Sequence, residues 1–134
     1  MSEIRATTIS DLVGTGPVTL TGQEAIKHWV NYDSITPTVT DSFNTSSVTD
    51  VAQGQATPNL TNAMDNTTYC GLSSHAQTTS GYSPRNVNFG NNQDAGTLDA
   101  NFTTSSYSVN IQYGYNGAEY DVDFCYLALL GDLA

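Results

Sequence analysis

Few side chains in this 134-residue chain could carry out chemistry. A Ser- or Cys-dependent hydrolase needs a histidine, itself oriented by an acid, beside its nucleophile. The chain has two histidines, His28 and His75, and no Gly-x-Ser-x-Gly elbow; Cys70 with His75 is a pairing expected by chance. Gly14-Thr15-Gly16-Pro17 lacks the lysine and the strand–helix frame of a phosphate loop. One carboxylate cluster stands out: Glu119, Asp121 and Asp123, whose i, i+2, i+4 spacing puts all three on one face of an extended strand. A Ca²⁺ ion taking their oxygens would relieve the repulsion. The plainer reading is a solvated outer face, alternating with Tyr120, Val122 and Phe124. Glycosidic hydrolysis would need one of two carboxyls held in an apolar pocket, and nothing in the sequence identifies it. The expectation is a protein that is not an enzyme, with no catalytic residue, no cofactor and no metal beyond that carboxylate candidate.

Binding is what remains. Tyr82, Tyr107, Tyr113, Tyr115 and Tyr126, among abundant Asn and Ser, have the make-up of adaptable contact surfaces. The Gly-, Asn- and Ser-rich stretch 74–96 reads as the longest loop, and His75, Tyr82, Arg85 and Asn86 within it are the candidate receptor contacts. Charge restricts the partner. A net charge of −10 with only Arg5, Lys27 and Arg85 as fixed cations rules against nucleic acid and against docking on anionic lipid.

Positioning these residues falls to strands. Thr, Ser and Asn make up 44 of the 134 residues, and strong helix formers are scarce, which predicts a mainly β chain with many turns. Strands are expected at 38–43, 46–51, 56–61, 67–73, 97–104, 107–115 and 119–130, with a short one around Val87 and Phe89. Pro58 demotes its strand to an edge or a bulge. Asn116-Gly117 predicts a hairpin joining the last two strands, with Tyr120, Val122, Phe124 and Tyr126 on one face. The run from Phe124 to Leu130 is apolar on both faces, so it belongs at the centre of a sheet or at a subunit contact. Residues 34–134 thus read as a β-sandwich knob, jelly-roll-like.

Two segments precede the knob. Residues 1–22 alternate weakly (Ile4, Ala6) and carry Ile9, Leu12, Val18 and Leu20 with too much Gly and Thr for a core of their own. They read as an extended attachment arm, or as a frayed terminus. Residues 23–33 read as a short helix: Thr21 and Glu24 fit a capping box, and Ile26, Trp29 and Val30 fall on one helical stripe. That stripe would form the neck of a trimer or pack on the knob. Cys70 and Cys125 sit in apolar surroundings and read as reduced rather than bridged, and no stretch reads as a signal peptide, which implies synthesis in the cytoplasm.

VTLTGQEAIKHWVNYD (18–33), DSFNTSSVTD (41–50), NLTNAM (59–64) with Tyr69 after it, and the closing LLGDLA (129–134) together resemble the tip module of bacteriophage tail fibres. Small virion-surface proteins of marine and cyanobacterial phages, head fibres and decoration proteins, share the likeness. The resemblance covers nearly the whole chain and brings no catalytic residues. It implies a trimeric, β-rich projection on the virion surface, a head fibre or capsid decoration protein fastened by its arm. Its partners would be itself and the virion's capsid or tail proteins. The alternative is a tail-fibre or tail-tip adhesin that binds a host-surface glycan or envelope protein.

Overall fold

A computed structural model describes residues 26–76, 85–90, 102–114 and 116–134. Short runs in which every second side chain is apolar and β-branched or aromatic can bury one face only by pairing in sheets. Eight strands form: β1 (Ile26–Asp33), β2 (Thr38–Phe43), β3 (Thr45–Ala52), β4 (Gln55–Leu60), β5 (Cys70–Ala76), β6 (Arg85–Phe89), β7 (Val109–Tyr113) and β8 (Phe124–Leu130), of which β1, β4, β7 and β8 supply most of the buried side chains. They build two antiparallel four-stranded sheets, ordered β2-β1-β8-β5 and β3-β4-β7-β6. The inner faces close on one core, with Val30, Tyr32, Val109, Ile111, Leu127 and Leu129 among its buried members. Each such aliphatic contributes on the order of 1.5–3 kcal/mol by leaving water. The β-sandwich expectation holds.

No helix occurs among the described residues, so the predicted helical neck is corrected. Residues 26–33 are β1, with His28, Val30 and Tyr32 turned inward and Trp29 outward. The stripe Ile26/Trp29/Val30 therefore does not share a face. Two periodicities coincide at Val30, and the strand wins because β2 and β8 bond it along both edges. An eight-residue helix could not offset that many ladder bonds from its own nucleation.

Asn44 alone separates β2 from β3, and there the chain passes from one sheet to the other. Its φ of 58° is left-handed, a conformation Asn tolerates better than most residues. Its side chain fastens the corner. Nδ2 donates to the Lys27 and Asn62 carbonyls (3.0 and 3.1 Å), and Oδ1 accepts from the Asn62 backbone N–H (2.7 Å). At the opposite edge β5 lies against β6, where Ser73 Oγ donates to the Val87 carbonyl (2.8 Å) and the Phe89 ring rests on Gly71.

Two further expectations change. Asn116-Gly117 does turn the chain, with Gly117 N–H donating to Tyr113 O (2.9 Å) and Tyr113 N–H to Ala118 O (2.7 Å). The returning arm pairs only at the Gln112–Glu119 bridge, however, and then crosses to the other sheet, where β8 runs between β1 and β5. The crossing shifts the alternation: Val122 is buried, but beyond it Cys125, Leu127 and Leu129 point inward while Phe124 and Tyr126 do not. Pro58 lies in β4, an inner strand. Its carbonyl still accepts from the Tyr107 N–H (3.2 Å) and the Leu60 N–H bonds Ser105 O (2.8 Å), so the missing N–H costs one bond in a pairing held on either side of it.

Candidate binding face

The two outer sheet faces differ in chemistry. On β3-β4-β7-β6 the cross-strand neighbours are amides and hydroxyls, such as Ser47–Asn59 and Thr49–Thr57. On β2-β1-β8-β5 they fall into bands. Register places Phe43, Trp29, Ala128 and Leu72 in one row across the four strands, and Asp41, Asn31, Tyr126 and Ser74 in the next. Ala128 is the small residue of the first row, so the face dips between Trp29 and Leu72. The result is an open trough of about 380 Å³ lined by Trp29, Asn31, Asp41, Leu72, Ser74 and Tyr126. Trp29, Leu72 and Tyr126 are exposed there. The Tyr126 ring lies nearly parallel to that of Phe124, with centroids 6.3 Å apart. Asn31 Oδ1 is buried without a hydrogen-bond partner, and Asp41 Oδ1 accepts from the Ser42 N–H (2.8 Å).

The groups that chemistry would need are committed elsewhere. His28 is fully buried where the two sheets meet, with Nε2 3.0 Å from Thr45 Oγ1 and Nδ1 3.3 Å from the Tyr107 hydroxyl. Burial lowers its pKa to about 4, so it stays neutral. Burial likewise pushes the Cys125 thiol up to about 12, which leaves it inert as a nucleophile. Both cysteines are free: Cys125 pairs with His75 in the ladder, whereas Cys70 lies at the far end of β5 opposite Leu130. Cys70 and His75 are thus separated by most of a strand and form no pair.

Glu119, Asp121 and Asp123 precede β8 rather than lying along it. Glu119 Oε1 accepts from Gln55 Nε2 and Asn110 Nδ2 (both 2.7 Å), and Asp121 Oδ1 accepts from the Gly54 N–H (2.8 Å). These carboxylates brace the 116–123 segment against the β3–β4 hairpin. No group of three or more His, Cys, Asp or Glu among the described residues could hold a metal ion, so the candidate calcium triad does not assemble.

The expected receptor contacts that are described fall on the two strands that meet at one edge of the sandwich. His75 is on β5 of one sheet, and Arg85 and Asn86 are on β6 of the other. The Arg85 guanidinium lies over the Tyr120 ring at 4.2 Å and near that of Tyr113 at 5.4 Å. That stacking holds it to the protein's own surface. Asn86 is exposed opposite Gln112. Tyr82 and the arm residues Ile4, Ala6, Ile9, Leu12, Val18 and Leu20 lie outside the described residues. Of the trough, Trp29 and Tyr126 were singled out by the sequence, Trp29 in a different role. Asn31, Asp41, Leu72, Ser74 and Ala128 were missed. Their signal was the two-faced apolar run of β8, which fixes a central strand and hence which residues flank it.

No family model, no curated protein and no solved structure matches the chain.

Proposed function

We propose that this chain is a bacteriophage virion structural protein, a homotrimeric surface projection whose jelly-roll-like knob is carried by an N-terminal arm of residues 1–22. A head fibre or capsid decoration protein is the preferred form, displayed on the virion surface after synthesis in the host cytoplasm. One observation carries this reading: the sandwich seals or braces its reactive groups (His28, Cys125, Glu119, Asp121) and turns neutral amides, hydroxyls and one aromatic face outward. Such a knob is suited to display rather than catalysis. A surface of this kind, at net charge −10, also keeps closely spaced copies soluble. The open aromatic face favours a second reading, a tail-fibre or tail-tip adhesin.

Gold-labelled antibody raised against the purified protein, imaged on phage particles from the culture that encodes it, tests both. Label on the capsid supports the first reading and label at the tail the second. Particles free of label would overturn both.

A further inference from the structure

We propose that the trough on the outer face of β2-β1-β8-β5 binds a neutral oligosaccharide without cleaving it, with sugar rings on Trp29 and Tyr126 and hydroxyls on Asn31 and Asp41. The inference deepens the recognition reading above and rests on it for the source of the sugar, not for the site.

Three features select this ligand. The first is the banding. An apolar row and a polar row lie side by side, two residues or roughly 6.7 Å apart along the strands. A pyranose repeats that contrast at the same scale, with C–H groups on its faces and hydroxyls at its rim. Its C–H bonds, slightly positive, suit the negative faces of indole and phenol rings. The second is the polar row itself: Asn31, Asp41 and Ser74 line the open trough of about 380 Å³ beside Trp29 and Tyr126, and amide, carboxylate and hydroxyl groups are the partners that sugar hydroxyls take.

Charge is the third. Asp41 is the one carboxylate among the described residues lining the trough, and none of them is a cation. In a chain of net charge −10, uronates, sialic acids and phosphates are repelled, whereas neutral hexoses are not. A lone carboxylate also lacks the partner that hydrolysis requires. A second copy of the chain is a poorer occupant. The two apolar rows, Phe43–Trp29–Ala128–Leu72 and Ile26–Leu130–Cys70, cover roughly 220 Å² at sheet spacings. A stable protein contact takes about 800 Å² per partner.

Trp29 is the chain's one tryptophan, so its emission reports on the trough directly. The full-length protein would be screened on an array of neutral and acidic bacterial oligosaccharides, and the retained neutral glycans titrated while Trp29 fluorescence is followed. Saturable quenching is expected, weakened at least tenfold by Tyr126→Ala and several-fold by Asn31→Ala, with circular dichroism unchanged. Ala128→Leu, which fills the dip and leaves the inward face intact, abolishes binding even if the Tyr126 variant misfolds. Retention of acidic glycans alone, of no glycan, or binding indifferent to Ala128→Leu overturns the proposal. So does a Trp29 emission that shifts blue with protein concentration in the absence of sugar, which would mean that another copy covers the face. Unlabelled particles with sugar binding intact would defeat the virion reading and spare the trough; labelled particles without sugar binding would do the reverse.

Discussion

At Asn44 a single side chain does what a loop does in most sandwiches. Its left-handed φ turns the corner between β2 and β3, and its amide ties β1 to the segment after β4. Asn44→Gly keeps the backbone freedom and loses these bonds, at an expected cost of about 2–3 kcal/mol. Asn44→Ala loses them too and adds the left-handed strain of a Cβ, about 1 kcal/mol more. Urea denaturation of both variants checks the ranking; equal midpoints would show that the φ is not demanding. His28 gives the second prediction at this scale. Its pKa is 6.5 in the unfolded chain and about 4 in the folded one, so between those values the unfolded state binds the proton that the native state refuses. Stability is therefore full above pH 6.5, falls as pH drops towards 4, and loses about 3 kcal/mol over that window. His28→Gln, measured from pH 7 to 4, should flatten that slope even if it lowers stability throughout. An unchanged slope would assign the loss to other groups. Asp33, whose carboxyl is held below its usual value chiefly by hydrogen bonds from Thr36, contributes its loss only at more acid pH.

Elements meet most tightly where β5 lies against β6. A Cβ on Gly71 would stand 2.7–2.8 Å from three atoms of the Phe89 ring. That ring in turn lies 5.4 Å from Tyr107 and 6.5 Å from Phe102, centroid to centroid. Gly71→Ala must push Phe89 off this cluster, at an expected cost of about 1–3 kcal/mol. Phe89→Leu makes room for the methyl, so the double variant should be less destabilised than the sum of the two singles, by about 1 kcal/mol. Additive losses in thermal melts would show that the ring yields freely. No pattern in the sequence announces this seam, because Gly71 and Phe89 belong to different sheets. What the sequence does announce is local. Runs of β-branched and aromatic residues between turn residues located β2, β3, β4 and β7 closely, although only β4 and β7 bury side chains fully. Periodicity misread residues 26–33, where Ile26, Trp29 and Val30 satisfy a helical stripe while His28, Val30 and Tyr32 satisfy a strand. Only the partners β2 and β8, distant in the chain, decide between them. The trough was half legible for the same reason. Trp29 and Tyr126 stand out by type, but Asn31, Ser74 and Ala128 join them only through the register of β1, β8 and β5.

For the whole molecule, the order of the chain in the two sheets bears on what the leading segment does. β1, the first described strand, is an inner strand bonded along both edges, and β8 beside it carries the last core residues, Cys125, Leu127 and Leu129. The core members among the described residues run from Val30 to Leu129 and draw on both sheets. Residues 1–22 are then expected to serve attachment and not folding. A chain beginning at Gln23 should keep the far-UV signature of the full protein and melt within a few degrees of it, a shift worth less than about 1 kcal/mol for a domain of this size. It should also remain soluble, since most of the −10 net charge resides in the knob. Expressed in place of the full chain during phage growth, it should be absent from purified particles and present free in the lysate. Loss of the melt would mean that the arm completes the sandwich, and normal incorporation would move the point of attachment onto the knob. The two measurements separate cleanly, because stability is read on the protein alone and attachment only on the particle.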